Sequence, residues 1–80
     1  LEAYAALARL EGIFVEPASA ASVAGLRKLL DEGYFGAEAA TLVLTVTGHG
    51  LKDPDTAVKI AAAPEQVPAD TEQVVKLLGL

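Results

Sequence analysis

The stretch Thr41 to Asp53, TLVLTVTGHGLKD, constrains the fold of this chain more than any other. Its first part, Thr41 to Thr47, is β-branched or aliphatic throughout and carries no charge, the composition of a strand covered on both faces, as in a parallel sheet. Such a strand needs partners at both edges and cover above and below. It ends at Thr47 and passes into Gly48-His49-Gly50, where two glycines allow backbone angles, and a close approach to a ligand, that a Cβ resists. Lys52, Asp53 and Pro54 follow, with Asp53 as a helix N-cap and Pro54 at the first helical position. Strand, glycine turn and helix start, in that order, form the place where open α/β sheets hold ligands. The expected fold class is therefore α/β.

A chain of 80 residues makes at most one small domain, and a domain of that size buries only roughly 60% of the surface it exposes unfolded. Yet 52% of the residues are apolar and only 5% aromatic, so the apolar content is mostly Ala, Val and Leu on elements that want neighbours on several sides. The chain reads as a piece of something larger, and Glu2 to Leu10 reads as a helix already under way, with no start signal before it. Eleven acidic residues against six basic give a net charge of -5, the wrong sign for gripping nucleic acid or an anionic membrane. There is no cysteine for a disulfide or a thiolate metal site, which fits a reducing cytoplasm. Neither a long apolar run for a membrane span nor a signal-peptide pattern is present. The lack of Asn, Met and Cys is consistent with a heat-adapted source.

In chain order, Glu2 to Leu10 carries Ala3, Ala6, Leu7 and Leu10 at helical spacing, and Gly12 is placed to end that helix. Ile13-Phe14-Val15 is a short extended link leading to a proline. Pro17 opens a second helix to about Glu32, with Glu16 as its N-cap and Gly33 as its stop. Its first half, Ala18 to Leu26, is uncharged and mostly Ala, Ser and Gly, suited to close packing, whereas Arg27 to Glu32 reaches water. Tyr34 to Ala40 is a loop before the central strand. After that strand come a short helix from Asp53 to about Ala62, an extended connection from Ala63 to Pro68, and a last helix capped by Asp70. Gln73 completes a capping box there, and Val74, Leu77 and Leu78 make one apolar face. No repeat or internal domain boundary interrupts residues 1–80.

Among residues that carry chemistry, Thr47 leads, because a hydroxyl at the tip of a buried strand both donates to and accepts from a ligand. On spacing alone, an ordinary strand residue bonded to the next turn has the stronger claim. Glu16 either orients a ligand or caps a helix and pairs with a lysine from elsewhere. A carboxylate at that end also gains from the helix dipole. His49, the single histidine, lacks the partners for a metal site or a triad. Lys52 is not part of a P-loop, since the spacing of that motif is absent, and a salt bridge with a nearby carboxylate suits it better.

Two stretches together, GIFVEPASAASVAGL at Gly12 to Leu26 and VLTVTGHGLKD at Val43 to Asp53, resemble the C-terminal part of the bacterial threonine synthases, a family of fold-type II pyridoxal phosphate enzymes. The resemblance covers nearly the whole chain. It implies that residues 1–80 are a C-terminal piece of the large cofactor domain: helix, helix, buried strand, glycine turn, short helix and C-terminal helix. It further implies an enzyme, a homodimer, that converts O-phospho-L-homoserine and water to L-threonine and phosphate. In related enzymes a Ser or Thr matching Thr47 hydrogen-bonds the pyridine nitrogen of pyridoxal 5'-phosphate. A neutral hydroxyl does not force that nitrogen to stay protonated, which moderates the ring as an electron sink. The segment containing Glu16, Ala18 and Ser19 would run past the ring, with Gly48 beside it. The lysine that carries the cofactor, the glycine-rich loop for its phosphate and the groups gripping the substrate phosphate belong to earlier parts of such enzymes. Lys28, Lys52, Lys59 and Lys76 do not sit in the family's lysine motif, so the chain alone is expected to be inactive. Two alternatives stand beside this: a threonine dehydratase, whose relatives usually show Ser-Gly-Gly-Asn where this chain has Thr-Gly-His-Gly, and a non-enzymatic acidic interaction module.

Overall fold

A computed structural model describes residues 1–80, and its regular structure is helical. Helix α1, Glu2–Ala6, widens into a π-helical turn over Leu7–Glu11. The wider turn breaks the 3.6-residue stripe expected here: Leu7 packs inward, but Leu10 is 68% exposed. After the link Gly12–Glu16, Pro17–Ala20 forms a 3-10 turn that leads into α2, Ala21–Asp31. A second 3-10 turn, Gly50–Lys52, precedes α3, Pro54–Ile60, and α4 spans Thr71–Leu77. The helix stops follow from the glycines. Gly33 takes φ 68, and the Tyr34 N–H then donates to the Leu29 carbonyl at 2.9 Å while Gly33 donates to Leu30 at 3.0 Å, the paired bonds of a Schellman motif.

The buried apolar residues are Ala3, Tyr4, Val15 and Ala20, with Leu7, Val23 and Val46 packed against them. This small core joins α1, the link before Pro17, the first turn of α2 and the end of the Thr41–Thr47 segment. Tyr4 meets Phe14 edge-on at 6.5 Å between ring centroids. Ala20 bears out the packing of the small-residue half of the second helix, but only at its start, since no other residue of that helix is buried.

The expected strand is not formed in this chain. Thr41 to Thr47 has no regular structure, Val43 is 89% exposed, and only Leu44 and Val46 are half-buried. The α/β expectation therefore finds no sheet within these residues. The physical reason is a missing edge: a strand is stabilised by a ladder of hydrogen bonds to a neighbour, and nothing in the chain lies along residues 41–47 to supply one. One isolated antiparallel bridge does form, between Val15 and His49. In it the Glu16 N–H donates to the Gly48 carbonyl at 2.9 Å and the Gly50 N–H to the Phe14 carbonyl at 3.1 Å.

The shape is elongated, with extents of 54 × 29 × 18 Å and a radius of gyration of 17.7 Å, against roughly 12 Å for a compact domain of this length. Helices α3 and α4 lead away from the core, and none of their residues is buried. The apolar face of α4 lies open, with Leu77 44% and Leu78 63% exposed. No helix is long and apolar enough to cross a membrane.

Candidate functional site

The residues singled out by sequence come together where the link Phe14–Ser19 crosses Thr45–Lys52. Pro17 fixes the backbone after the link, so the chain turns at once into the helix start and presents Ser19 and Ser22 to the crossing segment. The Ser19 hydroxyl oxygen accepts from the Gly48 N–H at 2.7 Å. Ser22 Oγ lies 3.3 Å from the Thr45 carbonyl and also 3.3 Å from the Ser19 carbonyl, and its one proton is shared between them. With the Glu16 N–H on its carbonyl, Gly48 has both backbone groups satisfied, as a buried residue requires.

Thr47 sits between these anchors and is exposed. Its hydroxyl enters none of the side-chain hydrogen bonds in the chain, so the ordinary role of bonding to the next turn is not what it does here. The two glycines serve close approach, but of the chain to itself. A Cβ on Gly48 would overlap the Glu16 side chain, and one on Gly50 would overlap the Phe14 ring.

Glu16 occupies the N-cap position, yet its carboxylate makes no cap hydrogen bond. It reaches across to Lys52, with Oε1 and Nζ 3.5 Å apart. The expected capping role is thus corrected, because the carboxylate that would turn back onto the helix pairs with the ammonium brought opposite by the Val15–His49 crossing. The same pair gives Lys52 its salt bridge. His49 is engaged locally: its Nδ1 accepts from the Leu51 N–H at 3.1 Å, and its ring meets Phe14 edge-on at 5.6 Å. No group of three or more His, Cys, Asp or Glu side chains is placed to hold a metal ion.

Asp53 caps α3 as expected, accepting from the Thr56 N–H at 3.2 Å and from the Thr56 hydroxyl at 2.7 Å. These two bonds, the hydroxyl first, hold its carboxyl below the usual carboxylate range; partial burial opposes them and Lys59 assists. At α4, Asp70 accepts from the Glu72 N–H at 2.9 Å, and the Gln73 amide donates to the Asp70 carboxylate at 3.2 Å rather than serving the backbone N–H of a full capping box.

An uncommitted hydroxyl such as that of Thr47 has the chemistry that would suit a pyridine nitrogen. The Thr47 hydroxyl makes no hydrogen bond within the chain, and Lys52 on the same crossing lies 3.5 Å from Glu16. Two contributors escaped sequence reasoning. Ser22 carried a usable signal, since it lies three residues after Ser19 and so on the same helical face. Phe14 carried none, because its fit beside Gly50 depends on the crossing itself.

No family model matches the chain. Over all 80 residues it is 58% identical to threonine synthase of Mycobacterium tuberculosis, and the match takes in 22% of that protein. It is 49% identical over 78 residues to threonine synthase of Methanocaldococcus jannaschii, covering 98% of this chain and 19% of the relative. With threonine synthase of Synechocystis sp. the identity is 53% over 83 residues, covering 99% of this chain and 20% of the relative. The chain thus spans about a fifth of the length of the curated relatives it matches, in their C-terminal part. These relatives lend no support to a dehydratase or to an interaction module. Identity of this order, sustained from end to end and across organisms as distant as these, makes the chain a segment belonging to the threonine synthase family.

Proposed function

We propose that this chain is the segment of a threonine synthase that presents Thr47 to the pyridine nitrogen of pyridoxal 5'-phosphate. The intact enzyme, a cytoplasmic homodimer and a lyase, converts O-phospho-L-homoserine and water to L-threonine and phosphate. The cofactor supplies an electron sink for bonds broken at the substrate. This chain's part is narrower. Thr47 holds the ring nitrogen through a neutral hydroxyl, which neither donates nor withdraws a full charge. Glu16, kept by Lys52, and Gly48, tied by its backbone, border that contact. In the intact protein Thr41 to Thr47 is a strand flanked by strands from outside this segment, which restores the α/β architecture. The remaining chain also supplies the lysine that carries the cofactor and the phosphate-binding groups, and residues 1–80 alone have no activity.

The observation that carries this reading is the free Thr47 hydroxyl beside a Gly48 whose backbone is fully engaged, in a chain 58% identical to a threonine synthase. Phosphate release from O-phospho-L-homoserine by the intact protein tests it. Thr47→Ser keeps most of the turnover. Thr47→Val preserves shape without the hydroxyl and lowers turnover at least about tenfold, equivalent to ~1.4 kcal/mol. Normal turnover in the Val variant removes Thr47 from the site, and no phosphate release from the wild-type protein removes the activity itself.

A further inference from the structure

We propose that Ser19, with Ser22 in support, is a positioning residue that sets the direction of the Thr47 hydroxyl; the inference rests on the reading of Thr47 given above. In a regular sheet, the direction of a strand-tip side chain is set by ladder bonds on both sides. At the C-terminal end of residues 41–47, where such a ladder would stop, this chain supplies its own anchors in the two serines. The Ser19 oxygen takes the Gly48 N–H at 2.7 Å, and that N–H belongs to the same rigid peptide unit as the Thr47 carbonyl. Holding this plane restrains ψ of Thr47, one of its two backbone dihedrals. Ser22 holds the Thr45 carbonyl at 3.3 Å, two residues upstream, and so restrains the approach to Thr47 from the other side. Ser19 lies in the 3-10 turn Pro17–Ala20 and Ser22 in the first turn of α2 that follows directly, so one continuous helical stretch places both anchors.

The contact with Gly48 uses a lone pair of the Ser19 oxygen. It acts through Thr47. Removing the hydroxyl leaves the N–H of a buried residue without its partner, which frees the Thr47–Gly48 peptide to rotate. The loss is expected in turnover more than in substrate binding, because the contact acts on Thr47 and not on a substrate.

The test is a double-mutant cycle in the full-length enzyme, read by steady-state phosphate release and by amide exchange in the peptide spanning Thr45 to Leu51. Ser19→Ala is expected to lower kcat by about two- to tenfold with little change in KM, the range that one hydrogen bond spans. It is also expected to speed exchange at Gly48. In a Thr47→Val background the same Ser19→Ala change costs less than about twofold, since the group being positioned is gone. Ser19→Thr, which keeps the hydroxyl, restores kcat, and Ser22→Ala gives a smaller loss in the same direction. Equal losses from Ser19→Ala in both backgrounds overturn the proposal, as does faster exchange with unchanged kcat. Normal turnover in Thr47→Val sinks the reading of Thr47 instead, and the positioning role with it.

Discussion

Asp53 shows how much one side chain settles at a helix start. Its carboxylate takes both the N–H and the hydroxyl of Thr56, and these bonds favour the charged form. The folded value therefore lies below the unfolded one. A carboxyl lowered in this way contributes stability that is fully present above the unfolded value and is lost as pH falls through the folded value. The Thr56 amide resonance should accordingly titrate with a midpoint below the ordinary carboxylate range, and Asp53→Asn, which keeps an acceptor but no charge, should abolish that titration. A midpoint within the ordinary range would show that the cap is not formed. The glycines make a second residue-scale contrast. At Gly48 an added Cβ meets the mobile end of Glu16, which swings away at the cost of its pairing with Lys52. At Gly50 it meets the Phe14 ring, which is held between Tyr4 and His49. Gly50→Ala should lower the stability of the intact protein by about 1–3 kcal/mol, and Gly48→Ala by less. Equal thermal or denaturant midpoints for the two would contradict this.

Among elements, Thr41 to Thr47 is the one whose surroundings are most incomplete. Its composition asks for burial on both faces, whereas Val43 is 89% exposed and Leu42 42%. If neighbouring strands enclose it in the intact enzyme, Val43→Asp is a different mutation in the two contexts. In the isolated chain Val43 already meets water, and the change should leave the helical circular dichroism signal as it is. In the intact protein it places an unpaired charge between strands, and a loss of at least about 2 kcal/mol follows. Circular dichroism of the isolated chain and urea unfolding of the intact protein measure the two effects, and a loss below about 0.5 kcal/mol in the intact protein would mean that the segment is a surface loop there too. The helices were more legible than this segment. Gly33, Asp53 and Asp70 act within a turn of themselves, so their roles could be read from adjacent residues alone. The π-helical turn at Leu7–Glu11 was not legible, since no residue type marks it, and the misplaced Leu10 follows from it.

For the molecule as a whole, four buried apolar residues make a core too small to hold a cooperative domain together. Calorimetry of the 80-residue chain should show no sharp unfolding transition, and a cooperative endotherm would mean that these residues form a self-sufficient domain. The same partition bears on the cofactor. Of the lysines, Lys52 is engaged by Glu16 and Lys28 lies 3.9 Å from Glu32 on an open helix face. Borohydride reduction of the isolated chain with pyridoxal 5'-phosphate, followed by mass spectrometry, should give no stoichiometric adduct. One modified lysine in good yield would place the carrier within this segment after all.

The sequence by itself determined the caps at Asp53 and Asp70, the stops at Gly12 and Gly33, the family, and the two stretches that meet at the site. Each of these depends on neighbours a few residues away or on identity to relatives, and neither needs a folded chain. Tertiary structure alone decided that Glu16 pairs with Lys52 instead of capping its helix, that Gly48 and Gly50 admit Glu16 and Phe14, and that Ser19 holds Gly48. Those contacts join residues far apart in the chain, and their geometry is set by the Val15–His49 crossing, which no local pattern encodes. The strand expected at Thr41 to Thr47 belongs to the same class: its residues state a preference, but a ladder forms only where a second backbone lies alongside.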